Sequence, residues 1–304
     1  MNPSSTERWD EVSFSTWLEL TKPRLSGLVL VTVAFGGLFA IGLRENTYLL
    51  GVALFRLFAA VLGVGLVSGG GAAMNMWIER KVDLLMERTK SRPLPSGKLH
   101  PRQVFLFGLT LTGVGLAEIY LLVGGWPANL CLFSWMAYVL IYTPLKRIST
   151  LNTLVGAVTG ALPPLIGWLA VGGEMSKEAW FLFILLYSWQ LPHFFAIAWI
   201  YREDYRAAGI RMLPVLDGSG RLTMRQILLF SVGLIPISLF PNLLGRAGNF
   251  YLFSALILGF AQALLSLKIY FKPTEENARL VFYASILYLP ALLACLFLDL
   301  LFLS

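Results

Sequence analysis

Residues 51–93 read GVALFRLFAAVLGVGLVSGGGAAMNMWIERKVDLLMERTKSRP. The first 24 of them hold a single charge, Arg56, and the remaining 19 hold eight. A bilayer-spanning helix needs roughly 20 mostly apolar residues, so the stretch reads as a membrane crossing that runs out into charged sequence. The apolar pattern recurs along the chain, and breaker residues place further spans near 25–43, 103–122, 128–142, 152–171, 179–200, 227–245, 250–270 and 280–302. The expected fold class is therefore all-α: a polytopic membrane protein, a bundle of about nine transmembrane helices. Residues 1–24 form a lead-in, and 25–304 one membrane domain with two long charged connections, 75–102 and 201–226.

Composition excludes the soluble classes. Apolar residues make up 57% of the 304 and charged residues 13%, against about 25% charged in soluble domains. The net charge of +7 has no basic helix or soluble aromatic-lined domain to carry it, which argues against nucleic acid. Its distribution points to topology instead. On a nine-span model, 20 of the 24 Lys and Arg fall on one side, and Arg44, Lys177, Arg246 and the span-embedded Arg56 on the other. The positive-inside rule then makes the N-terminus cytosolic and the C-terminus external. The lead-in carries Glu7, Asp10, Glu11 and Glu19, unlike a signal or transit peptide, which favours a bacterial plasma membrane. Cys131 and Cys295 sit in apolar stretches without CxxC spacing and read as inert thiols.

On a helix, Asn75, Glu79, Asp83 and Glu87 recur every four residues and share one face. The three carboxylates of this row repel one another unless a cation sits among them. Hard oxygen donors suit Mg2+, which takes a few carboxylates together with phosphate oxygens and water. Arg80, Lys81, Arg88, Lys90 and Arg92 nearby are donors for phosphate. A solvated helix end whose acids and bases pair with each other is the plain alternative.

A second cluster follows span six, where Trp189-Gln190-Leu191-Pro192-His193 leads to Tyr201-Arg202-Glu203-Asp204-Tyr205-Arg206. Spans two and six both end in carboxylates mixed with arginines, a weak internal repeat of the kind that places a site between two halves of a bundle. His193 lies eleven residues before Asp204, about 16 Å of helix, and so inside the membrane, where an ionisable group faces a cavity or a partner helix. Between the clusters come Tyr142, Lys146 and Arg147, and a span five with Gly156, Gly160, Pro163, Pro164 and Gly167. Small residues let helices approach, and paired prolines break a helix where a cavity can form. Arg56, Glu118 and Asp299 near outer span ends read as snorkelling or interface-pairing groups.

These motifs resemble the UbiA superfamily of intramembrane prenyltransferases. The pattern N-x-x-x-D-x-x-x-D-x-x-M-x-R-T-x-x-R-P is met by Asn75, Asp83, Met86, Arg88, Thr89, Arg92 and Pro93, with Glu79 where the family has aspartate. Lys22-Pro23, Tyr142-Thr143 with Lys146-Arg147, Gly160-Ala161-x-Pro163-Pro164-x-x-Gly167, Trp189-Gln190-x-Pro192-His193, Asp204-Tyr205 and Met212-Leu213-Pro214 extend the likeness along residues 20 to 225. Within the family, the run from Trp189 to His193 is similar to members that carry farnesyl from farnesyl diphosphate to a vinyl carbon of heme B, adding water to give heme O. The resemblance implies Mg2+ held by Asn75, Glu79, Asp83 and Asp204. It implies diphosphate gripped by Arg88, Arg92, Lys146, Arg147 and Arg202 beside Tyr142, and His193 on the heme side. Heme B is then substrate and not a resident cofactor, and heme A synthase or proteins of terminal-oxidase assembly are the protein partners implied. The longer arm of Glu79 leaves it open whether that residue meets the metal directly. A quinone-precursor or other aromatic acceptor is the alternative within the family, and a transporter the alternative outside it, although a transporter would spread its charges over both faces.

Overall fold

The structure is a computed structural model and describes residues 13–43 and 49–303. Arg8 and Arg44 of the charge distribution, and Glu7, Asp10 and Glu11 of the lead-in, lie outside the described residues. Among the described residues there are nine helices long and apolar enough to cross a membrane. They are Pro23–Gly42, Leu50–Asp83, Pro101–Leu122, Gly125–Leu145, Asn152–Ala170, Lys177–Ile200, Arg221–Leu243, Asn249–Phe271 and Glu275–Asp299. No strand occurs among those residues. Large apolar side chains such as Leu28, Phe55, Phe58, Leu121, Ile257 and Leu264 point outward, as lipid demands of a bundle whose solvent is hydrocarbon.

Four spans depart from the expected ones. The second helix does not stop at residue 74 but continues unbroken to Asp83, 34 residues in all. That is about 51 Å at 1.5 Å per residue, far more than one crossing needs, so its charged last turns reach the membrane edge. In the fourth span the α-helix gives way to a π-helical stretch, Ala137–Tyr142, before a final turn to Leu145. The fifth span is two helices, Asn152–Ala161 and Pro163–Ala170, because Pro163 has no N–H to continue the ladder. The seventh span begins earlier than expected, at Arg221.

With no hydrophobic drive between helices in lipid, association depends on close van der Waals approach, and glycine supplies it. A Cβ on Gly167 would lie 1.9 Å from the Val33 carbonyl oxygen, and one on Gly36 2.0 Å from that of Pro164, so spans one and five touch backbone to backbone. Gly63 and Gly115, with Gly70 and Gly108, do the same for spans two and three. Between the halves lies a core of Phe39, Trp168, Leu182, Leu185, Tyr251, Tyr288 and Leu292. The sixth span runs through the centre and packs on spans five, seven and nine.

At the end of the bundle away from the long charged connections Asp299 is buried and accepts from the Gly248 N–H, the interface pairing expected of it, and Arg56 is exposed. Glu118 is different: its Oε2 is buried without a hydrogen-bond partner, where a Cβ on Gly63 would come within 2.1 Å. At the opposite end the loops clamp one another. The Arg211 N–H donates to the Lys146 carbonyl at 2.7 Å, and Asn152 Nδ2 to the Arg211 carbonyl at 3.0 Å. Val82 and Met86 pack with Tyr205, Ile210 and Met212, so the segments after spans two, four and six form one cap.

Candidate active site

Asn75, Glu79 and Asp83 follow one another at four-residue steps on the second helix and therefore share a face, with 1%, 9% and 0% of their surface exposed. Each meets a cation brought from elsewhere in the chain. Lys22 Nζ donates to Asn75 Oδ1 at 2.8 Å, and Lys146 Nζ to Glu79 Oε1 at 2.8 Å. Arg92 Nη1 lies 2.9 and 2.8 Å from the two oxygens of Asp83. A carboxylate left alone at this depth would cost several kcal/mol, so row and cations require one another. The outcome is a comb of three acceptors faced by three positive groups.

Local structure explains how each cation arrives. Lys22 is the N-cap of the first span, with φ 48° and ψ 61°, and among the described residues it alone holds a positive φ without being glycine. Such a conformation costs on the order of 1–3 kcal/mol and persists only when its surroundings impose it. Burial opposes the charge on Lys22 and lowers its pKa, the nearby Arg92 and Lys146 add to that, and the Glu79 and Asp83 carboxylates pull the other way. Burial also opposes the charge on Lys146, but Glu79 with Tyr142 and Tyr138 outweighs it and holds the pKa above the usual lysine range. Arg92 returns to Asp83 through tight turns pinned by Thr89, whose Oγ1 donates to the Asp83 carbonyl at 2.8 Å.

The π stretch aims the fourth span at the comb, a common use of π turns at functional sites. Thr143 Oγ1 accepts from Asn75 Nδ2 at 3.1 Å and donates to the Tyr138 carbonyl at 2.8 Å. Lys146 Nζ rides 4.6 Å above the Tyr142 ring, which in turn stacks on Tyr138 at 5.6 Å. Gly156 leaves room for that ring, since a Cβ there would be 2.7 Å from Tyr142 Cε2.

Other expected residues fall around this centre or away from it. The Arg88 guanidinium sits over the rings of Tyr201 and Tyr205, 5.1 and 5.9 Å from their centroids, and ties the short helix Arg202–Ala207 to the loop after span two. Asp204 lies in the first turn of that short helix, half-buried. Arg202 stacks on Trp199 at 4.2 Å, and Arg147 is exposed next to Lys146. Glu87 does not join the row: the helix ends at Asp83, and Glu87 is an exposed residue paired with Lys90 at 2.5 Å. Arg80 also leaves the cluster, since it stacks on Trp77 and donates to the Trp77 carbonyl at 2.6 Å. Among the described residues no three His, Cys, Asp or Glu side chains converge as a preformed metal cluster. The donor set still fits Mg2+: two adjacent carboxylates and an amide oxygen, all hard donors, with room in such coordination for phosphate oxygens.

His193 lies apart from the comb, deeper in the sixth span. Its Nδ1 is 2.8 Å from Ser285 Oγ of the ninth span. Its ring stacks on Trp189 at 5.4 Å and meets Phe282 at 4.9 Å and Phe194 at 5.8 Å. Lys22 joins the candidate site although the sequence assigned it no role there; its signal is the Lys-Pro pair immediately ahead of the first span.

Residues 28–297 match the UbiA prenyltransferase family, and the chain belongs to that family of integral multi-pass membrane proteins. Its curated relatives are more particular. The chain is 43% identical over 285 residues to "Protoheme IX farnesyltransferase" of Solibacter usitatus, covering 93% of this chain and 98% of that one. It is 39% identical to the protein of the same name from Aquifex aeolicus, over 93% of this chain and 94% of that one. Among solved structures, a digeranylgeranylglyceryl phosphate synthase shares the fold with a TM-score of 0.78 at 17% identity, covering 94% of this chain and 98% of that one. A UbiA homolog from Archaeoglobus fulgidus bound to DMAPP and Mg2+ does so with a TM-score of 0.66 at 17% identity, covering 92% and 99%.

Proposed function

We propose that the chain transfers the farnesyl group of farnesyl diphosphate, with addition of water, to a vinyl group of heme B, giving heme O and diphosphate. The comb carries this reading. Three buried oxygen donors now held by three cations can exchange partners when a metal diphosphate arrives: the donors turn to the metal and the cations to phosphate oxygens. No charge is left alone in the exchange. The acceptor follows from the name shared by relatives that align over more than nine-tenths of the chain.

Asn75, Glu79 and Asp83, with Asp204 as a fourth donor, are the residues that would hold Mg2+. When bound, Mg2+ supplies neutralisation of the diphosphate as its bond to farnesyl breaks. Lys22, Lys146 and Arg92 then bind the phosphate oxygens, with Arg88, Arg147 and Arg202 at the rim. The stacked pair of Tyr138 and Tyr142 beside the comb offers the allylic cation the face that Lys146 leaves when it turns to phosphate, and a dry pocket keeps stray water from it. The vinyl carbon forms the new C–C bond to farnesyl, water adds to the resulting cation on the acceptor, and one proton is released. The concentration of Lys and Arg at the comb's end of the bundle supports a cytosolic site and N-terminus in a bacterial plasma membrane.

Incubating the purified protein with heme B, farnesyl diphosphate and Mg2+, and reading the product by mass spectrometry beside an Asp83→Ala control, tests the reaction. Farnesylated heme that needs both Mg2+ and Asp83 is the expected result. Transfer to 4-hydroxybenzoate and none to heme would overturn the acceptor.

A further inference from the structure

Ser285 has one hydroxyl proton, and the structure directs it away from His193. Ser285 Oγ donates to the Phe282 carbonyl at 2.6 Å, a bond within its own helix. The same oxygen lies 2.8 Å from His193 Nδ1 and can only accept there, so Nδ1 carries the imidazole proton. A neutral imidazole protonated at Nδ1 has a bare lone pair at Nε2. That Nε2 makes no hydrogen bond among the described residues, and His193 is only partly buried.

Aromatic rings pack around the imidazole and hold its plane. Trp189 stacks nearly parallel to the imidazole, with 24° between the planes, and Phe282 lies 33° from it. Trp189 is itself fixed by its Nε1 donating to the Ser285 carbonyl at 2.7 Å. One serine thus orients both rings, and Ser285 is fully buried. Holding the second nitrogen of a ligating histidine is how proteins set the tautomer that meets a metal.

We infer that His193 Nε2 is an axial ligand to the iron of the heme substrate, with Ser285 as the positioning residue that presents it. This rests on heme B being the acceptor. Iron bound at that depth anchors the macrocycle by a bond independent of the vinyl group that reacts, so the acceptor is held in one place while its edge is alkylated.

The test is the absorption and electron paramagnetic resonance spectrum of ferric heme B added to the detergent-purified protein, read alongside heme farnesylation. The native protein should give a histidine-ligated spectrum. His193→Asn keeps an amide donor for Ser285 but has no counterpart of Nε2. It should lose that spectrum, weaken heme binding at least tenfold, and regain the signature when imidazole is added, with farnesyl diphosphate binding unchanged. Ser285→Ala should weaken ligation and Ser285→Thr restore it. Native spectrum and heme affinity in His193→Asn, in a protein that still farnesylates heme, would overturn the ligand while leaving the proposed function intact. Failure of the native protein to bind or farnesylate heme would overturn both.

Discussion

Arg92 reaches both carboxylate oxygens of Asp83 with one nitrogen, at 2.9 and 2.8 Å, across nine residues of tightly turned chain. The partners are unequal: the Asp83 side chain is wholly buried, whereas 21% of Arg92 is exposed. Arg92→Ala strands a buried carboxylate and should cost about 3–5 kcal/mol. Asp83→Ala leaves a guanidinium able to turn to water and should cost less. Chemical unfolding in detergent measures the difference, and equal losses would contradict the asymmetry. Added Mg2+ should recover part of the stability of Arg92→Ala and none of that of Asp83→Ala.

At Lys22 the backbone and the ammonium can be separated. Lys22→Ala and Lys22→Asn both remove the charge that faces Asn75, and both should raise the KM for farnesyl diphosphate at least tenfold. Asparagine tolerates the left-handed conformation better than alanine does, so Lys22→Asn should be the more stable of the two by about 1 kcal/mol. Thermal unfolding of the pair checks this, and alanine equal to asparagine would mean that the φ of 48° carries no strain.

Removing the metal should abolish transfer reversibly. In a titration of activity against Mg2+, Glu79→Asp should stay within about tenfold of the native rate, since the charge and ligand type persist. Glu79→Ala should lose transfer and also free Lys146 from its partner. Full activity of the native protein after exhaustive chelation would remove the metal from the reaction.

The glycine contacts predict a graded series. Gly167→Ala places a methyl 1.9 Å from a backbone oxygen that cannot move alone, and overpacking of this kind costs about 1–3 kcal/mol or more. Gly113→Ala meets nothing within 4 Å and should be neutral or slightly stabilising, because alanine is the better helix former. Gly160→Ala would press on Gln190 Oε1 at 2.0 Å, a flexible side chain, and should fall between them. Melting temperatures of the three variants order them directly.

Hydropathy found the nine crossings because lipid imposes a length and an apolar content that no tertiary contact can override. The row of Asn75, Glu79 and Asp83 was legible for a similar reason, as four-residue spacing on a helix is geometry. Glu87 falls off the row because the helix ends at Asp83 and the turns that follow bring Met86 into a buried cluster with Tyr205 and Met212, a long-range packing with no local signal. Lys22 stood in a motif, but its place beside the row was hidden because its partner is 53 residues away. The role of Ser285 was equally hidden, since it lies 92 residues from His193. Nothing in the residue types of Ala137–Tyr142 announces a π turn.

That π turn has a consequence for how the chain can change over evolutionary time. It acts as a phase shift between the membrane-buried half of the fourth span and the end bearing Thr143 and Lys146. Deleting one residue there would restore an ordinary helix and leave hydropathy and span count almost untouched. It would also swing everything downstream by about 100°, carrying Lys146 off Glu79 and Thr143 off Asn75. The span is therefore constrained in its number of residues as well as in its character, and a single-residue deletion would leave a protein that inserts normally and is catalytically silent.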